Sequence, residues 1–174
     1  TTNGGKTWEQ VLHIDENTGA NEIVISPTNP QVMYASLWEM NPGISGQNSG
    51  IYRSVDGGAT WIKSTQGLPV GPKVGRIGLT VSATNPKKAY ALVDNLNYPQ
   101  GQSAELYKTI DGGLSWTKTH SGSFPLFTSI GWYFTDVYVN PKNDEEVFGL
   151  GIRLAHSIDG GKTFKFIGGE VTRI

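Results

Sequence analysis

"SVDGGATW" at 54–61 decides how this chain is read, because it recurs. It returns as "TIDGGLSW" at 109–116 and "SIDGGKTF" at 157–164, and the chain opens on "TTNGGKTW" at 1–8. The third residue of each copy is Asn3, Asp56, Asp111 or Asp159, at intervals of 53, 55 and 48 residues. Self-similarity at such a period marks a repeat protein, in which each copy is one supersecondary unit. A second phrase runs between the copies. "VISPTNPQVMYAS" (24–36), "TVSATNPKKAYAL" (80–92) and "YVNPKNDEEVFGL" (138–150) align without gaps, matching Asn29, Asn85 and Asn143, and Tyr34, Tyr90 and Phe148. The third copy places Asp144 where the others have Pro30 and Pro86.

Each unit reads as four strands. The first alternates in period two, as in Ile77, Leu79 and Val81, and stops at an Asn-containing turn. The second is short and apolar ("VMYASL", "KAYALV", "EVFGLG"), and the third is "SGIYRS", "AELYKT" or "RLAHS". The octapeptide turns the chain into the fourth, because Asp-Gly and Gly-Gly between apolar runs are strong hairpin signals. No window has helical periodicity. Four-stranded antiparallel units of this length predict β-propeller blades in an all-β protein. The expected layout is an outer strand of a preceding blade over 1–13, then complete blades over 14–65, 66–120 and 121–174, thirteen strands in all. Propellers close with about four to eight blades. Three blades leave two sheet flanks uncovered, so the expected partners are the remaining blades of a longer chain, of which this is a fragment, or further copies that close the ring.

Bulk composition narrows the function. Lys plus Arg is 14 and Asp plus Glu is 15, with no basic stripe, so no field draws the chain to nucleic acid. No apolar run approaches a membrane span. Cys is absent, which excludes disulfides, thiol catalysis and cysteine metal sites. His13, His120 and His156 lack any ligand spacing, so neither a metal nor a cofactor is expected.

The octapeptide itself has a mechanical reading. Asp56, Asp111 and Asp159 can accept backbone N–H bonds from the turn that follows, and Asn3 can do the same, which suits a bonding role better than a charge role. Gly58, Gly113 and Gly161, each with the glycine before it, supply left-handed backbone. Trp61, Trp116 and Phe164 are expected to fold under the hairpin and fill the gap toward the next blade. A calcium loop would need about six to eight oxygens, and each copy offers one carboxylate. Arg53, one residue before the copy, and the acidic pairs Asp15–Glu16 and Glu145–Glu146 read as solvent-facing.

The pattern Ser/Thr-x-Asp-x-Gly-x-Thr/Ser-Trp/Phe resembles the Asp-box, or bacterial neuraminidase repeat. With the interleaved "SPTNP" phrase, the whole chain resembles the sortilin-like and glycosyl-hydrolase-labelled repeat proteins of bacteria, xyloglucanase-type glycosidases and photosystem II assembly-factor propellers. That resemblance implies a propeller cut from a longer chain, a secreted, periplasmic or cell-surface location, and boxes remote from any substrate.

Ligands of propellers meet the other face, formed by the second-to-third-strand loops and the links between blades. Those segments are 14–21, 40–49, 66–75, 95–104 and 121–132. Residues that break their own repeat there are Trp38, Glu39, Arg76, Asn95, Tyr98, Trp132 and Tyr133, candidates for ligand contact by ring stacking and polar bonds, with interblade packing as the competing role. Asp94 and Asp136 are the weak candidates for catalytic carboxylates. The expected role is a binding or scaffold segment for a glycan or protein. The alternative is part of a glycoside hydrolase, xyloglucanase- or sialidase-like, whose cleft other blades complete. Sialidases grip their substrate with three arginines, and no such triad is found among Arg53, Arg76, Arg153 and Arg173.

Overall fold

A computed structural model describes residues 1–40, 43–99, 101–122, 124–127 and 130–168. Twelve strands form three antiparallel sheets, with no helix among the described residues. The first sheet holds β1 (Thr18–Ile25), β2 (Met33–Glu39), β3 (Gly50–Ser54) and β4 (Ile62–Ser64) in that order. The second holds β5 (Val74–Val81), β6 (Ala89–Asn95), β7 (Ala104–Thr109) and β8 (Thr117–Lys118). The third holds β9 (Asp136–Asn140), β10 (Asn143–Leu150), β11 (Leu154–Ser157) and β12 (Lys165–Ile167). The leading strands β1, β5 and β9 pack beside one another and form the inner wall. Residues 1–13, expected as the outer strand of a preceding blade, join none of these sheets.

The turns explain the repeated phrases. Between first and second strands, the Oδ1 atoms of Asn29, Asn85 and Asn143 accept the N–H two residues on, at 3.2, 3.1 and 3.2 Å. In the octapeptide, Asp111 accepts the Thr109 hydroxyl at 2.8 Å, the Ser115 hydroxyl at 2.6 Å, and the N–H groups of Leu114 and Ser115 at 3.0 Å. Asp56 and Asp159 repeat this set. The first hydroxyl of each copy in turn takes the N–H of the second glycine at 2.8–2.9 Å, and those glycines have φ near +90°. Asn3 keeps the acceptor bond to the Thr7 N–H at 3.0 Å and donates to the Thr7 hydroxyl where the carboxylates accept.

The core lies between sheets. Tyr34 and Ile51 of the first blade pack with Ile77, Ala91, Tyr107 and Trp116 of the second. Leu92 and Leu106 of the second pack with Val137, Val147 and Ala155 of the third, across Leu126 and Phe127. The box aromatics fill these seams on the side opposite to expectation. Trp116 meets Tyr34 edge-on at 6.1 Å, and Phe164 stacks at 4.4 Å on Phe124, which bridges to Ala104 of β7, so each ring points to the preceding sheet. The reason is visible at Gly67 of the link between blades. Its Cβ position lies 1.9 Å from the Trp116 carbonyl, so the link from the first blade runs directly against this corner. Trp61 covers the free flank of the first blade with Leu12 and Ile14, while Trp8, with no sheet beneath it, is 79% exposed.

Of the two acidic pairs, Glu16 faces solvent as expected, while Asp15, Glu145 and Glu146 also hold structure. Asp15 accepts the Asn48 amide at 2.7 Å. Glu145 and Asp144 both take the buried Lys88 ammonium of the neighbouring blade, and Glu146 holds Asn140 and His156.

Candidate functional site

Strand register sorts the two faces. Thr18 opposite Glu39, Val74 opposite Asn95 and Asp136 opposite Leu150 gather the strand ends that carry the candidate residues. Met33 opposite Ser54, Ala89 opposite Thr109 and Val147 opposite Ser157 put all three boxes at the other end. The separation expected from the strand count is therefore present.

On the candidate face, β5 carries a bulge between Val74 and Ile77 that takes in Gly75 and Arg76. A bulge re-aims the side chain it carries. Arg76 Nη1 donates to the Tyr133 carbonyl at 2.5 Å, and its other terminal nitrogen lies 3.6 Å from Asp136. Glu22 reaches the same wall from β1, where it accepts the Leu79 N–H at 2.7 Å. Burial pushes its carboxyl up, helped by the Asp136 charge, against the Leu79 bond and the Arg76 charge. Gly78 stands where the other inner strands carry Glu22 and Asp136 because a Cβ there would lie 2.3 Å from the Thr135 carbonyl. The bare position lets β9 close against β5.

Beside Arg76, the turn at 130–134 presents three successive rings. Trp132, Tyr133 and Phe134 are 37%, 58% and 37% exposed. Trp132 meets Tyr133 at 5.6 Å and Tyr133 meets Phe134 at 4.7 Å, both nearly perpendicular. The turn is closed by N–H bonds from Tyr133 and Phe134 to the Ile130 carbonyl. It rests on Asp94, whose carboxyl lies 2.6 Å from where a Gly131 Cβ would be. Asp94 is 1% exposed, takes a bond from Ser103, and burial pushes its carboxyl up.

The structure thus brings Arg76, Asp136, Trp132 and Tyr133 together, and adds Glu22 and Phe134. The other candidates are held by their own loops. Trp38 donates from Nε1 to the Ile44 carbonyl at 2.9 Å, and Glu39 accepts the Asn48 N–H at 2.7 Å. Asn95 and Tyr98 belong to a network around Glu105, a 2% exposed carboxylate that takes Asn95 and Tyr107 at 2.7 Å and pairs with Lys118. Burial pushes Glu105 up, and its three donors outweigh that, leaving it below the usual range. Lys118 also lies 5.3 Å over the Tyr98 ring. Glu22 had a signal in the sequence, since it aligns with Asp136; Glu105 had none, since the matching position in the first blade is Gly50. No described group of acids and histidines could hold a metal.

Three such blades, packed through their inner strands, define a segment of a β-propeller. No protein-family model matches the chain. Among curated proteins it is 29% identical over 179 residues to a protein of Neosartorya fischeri named "probable oligoxyloglucan-reducing end-specific xyloglucanase", covering 94% of this chain and 21% of that one. It is 30% identical over 122 residues to a xyloglucanase of Hypocrea jecorina, covering 69% of this chain and 13% of that one. The chain therefore spans about a fifth or less of the curated relatives it matches. Among solved structures it resembles the GH74 enzyme of Niastella koreensis, with a TM-score of 0.67 at 19% identity over 95% of this chain and 25% of that one. It also resembles YCF48 bound to a D1 peptide, with a TM-score of 0.57 at 14% identity over 88% and 41% of the two chains. No described helix is long and apolar enough to cross a membrane.

Proposed function

We propose that this chain supplies three blades of a carbohydrate-binding propeller in an exported, glycoside-hydrolase-like protein, with a xyloglucan-type glycan as ligand. The observation that carries this reading is the row of exposed rings at 132–134 beside the Arg76–Asp136 pair. Rings offer apolar faces to sugar C–H groups, while a guanidinium and a carboxylate supply the donors and acceptors that hydroxyls need. Arg76 is already bonded to Tyr133 and paired with Asp136, so binding energy comes mainly from the rings. The similarity to xyloglucanases supports the choice of glycan.

Affinity electrophoresis in gels containing xyloglucan tests this. The protein is expected to be retarded, and Trp132→Ala and Tyr133→Ala to lose retardation by tenfold or more in apparent affinity. Unretarded wild-type protein, or variants that run with it, would refute the reading.

A second reading, in which these blades form one wall of a hydrolytic cleft, is favoured by Asp136, whose carboxylate is 41% exposed on the inner wall with Glu22 close by. Two carboxylates flanking the scissile bond are what glycoside hydrolysis needs. Asp94 is buried beneath the turn and would act by supporting it. Under this reading Asp136→Asn in the full-length parent abolishes release of reducing ends but leaves retardation intact. Unchanged turnover would remove Asp136 from any catalytic role.

A further inference from the structure

The box face carries an unpaired cation that the repeat itself shows how to read. Arg53 is the next-to-last residue of β3, and Lys108 holds the same place in β7 of the second blade. Each reaches across the seam to the glycine turn of the next box. Arg53 Nη2 lies 3.8 Å from the Cβ position of Gly112, and Lys108 Nζ lies 3.2 Å from that of Gly160. The seams match in further detail. Ser64 donates to the Gly113 carbonyl at 3.3 Å, and Thr119 to the Gly161 carbonyl at 2.8 Å. The Gly112 N–H goes to the Lys87 carbonyl and the Gly160 N–H to the Glu145 carbonyl, both at 2.8 Å.

The difference is in charge. In the second seam Glu145 faces Lys108 at 3.9 Å and also pairs with Lys88. In the first seam the position of Glu145 is Lys87, that of Lys88 is Val32, and that of Asp144 is Pro86. Arg53 has no ion-pair partner among the described residues; its Nε is buried without a hydrogen bond, and its charge lies beside the neutral Tyr34 hydroxyl. Its guanidinium is therefore not at the solvent-facing position that its place in the sequence suggests. It lines a cavity of about 200 Å³ formed with Ile62, Ser64, Gln66, Gly113 and Leu114. The rim is aliphatic, with Ile62 and Leu114 74% and 65% exposed. A partly desolvated guanidinium without a counter-ion favours a carboxylate, which it can take through two parallel bonds.

We propose that this crevice between the first two blades is a binding site for an acidic side chain carried by a peptide. The carboxylate seats against Arg53 in this cavity, and flanking aliphatic residues cover Ile62 and Leu114. The volume suits one side chain, and an aliphatic rim suits a peptide better than a sugar, which stacks on aromatic rings.

The test is fluorescence anisotropy with a labelled acetyl-Leu-Glu-Leu-Glu-Leu-amide probe, its Gln counterpart, and glutarate as competitor. The Glu probe is expected to bind at least tenfold more tightly than the Gln probe at low salt, and to weaken tenfold in Arg53→Gln. Lys87→Glu supplies an internal carboxylate to Arg53, so it should abolish probe binding while raising the melting midpoint. This second variant keeps the test readable if Arg53→Gln unfolds. Equal binding of the two probes, no binding of the Glu probe, or undiminished binding in Lys87→Glu would overturn the proposal. Glutarate binding as tightly as the probe would overturn the peptide assignment.

Discussion

Replacing Lys88 by Met should separate the second and third blades more readily than any single change at their surface. Lys88 is buried just before β6, and its ammonium bonds Asp144 at 2.8 Å and Glu145, both at the start of β10. Asp144 also accepts from Ser82 at 3.3 Å, and its carbonyl takes the Tyr90 hydroxyl at 2.6 Å. Met keeps most of the aliphatic stem and removes the charge. Breaking a fully buried pair costs about 3–5 kcal/mol. Here the two carboxylates are 22% and 46% exposed and can recover water, so about 2–3 kcal/mol is the reasoned loss. For a chain of this size that is a drop of roughly 4–12 °C in melting midpoint. The pH dependence gives an independent check. Burial raises the Asp144 carboxyl, the bonds and charge of Lys88 lower it, and the net position is below the ordinary 3.8. A depressed carboxyl contributes stability above its unfolded value and loses it as pH falls through the folded one. Burial lowers Lys88, its two carboxylates raise it further, and the net position is above 10.5. That contribution is present below 10.5 and is lost as pH rises through the folded value. The gap between wild type and Lys88→Met, measured by scanning calorimetry, should be full from about pH 5 to 10 and shrink below 4. A midpoint change under about 1 °C, or a gap that persists undiminished at pH 2, would refute the clamp.

Three further outcomes are expected. Asp111→Ala should cost about 1–2 kcal/mol in urea unfolding and Asp111→Asn no more than about 0.5, because the amide keeps one acceptor as Asn3 does; equal losses would assign the box a charge role. Gly78→Ala should destabilise by about 1–3 kcal/mol and loosen the turn at 130–134, since its Cβ meets the Thr135 carbonyl at 2.3 Å; an unchanged midpoint would mean that β9 is not held against β5 as described. Asp94→Asn should gain on wild type as pH rises from 3 to 7. A carboxyl raised by burial stabilises the fold when protonated, and that contribution is lost above its unfolded value; parallel pH profiles would count against a buried acid beneath the turn.

The sequence shows local structure and hides what faces across a seam. The octapeptide was readable down to the exchange of Asn3 for Asp, because every side-chain bond of its third residue lies within four residues. The Asn-based turns were readable for the same reason. The direction in which Trp116 points was not, because it depends on where the link through Gly67 runs. Glu145 reads as a solvated turn residue until Lys88 and Lys108, more than thirty residues away, are placed around it. At the candidate site, alignment of the copies flagged Asp136 and the aromatic turn as departures from the repeat. The bulge that turns Arg76 toward them is a register shift that no residue type announces.

The equivalent positions of the three blades do different work at each seam. The place held by Glu22 and Asp136 on two inner strands is empty at Gly78, and that gap lets the third blade close in and bring Asp136 beside Arg76. The place of Glu145, which neutralises Lys108 in one seam, is a second cation in the other, and it leaves Arg53 unpaired. A repeat fixes the backbone so firmly that single substitutions at matched positions are enough to separate a closed contact from an open one. Divergence between copies therefore distinguishes both faces: an exposed aromatic turn on the side of the inner-strand bulges, a cation without an ion pair on the side of the boxes. The glycine turn of the second blade's box forms one wall of the crevice beside Arg53.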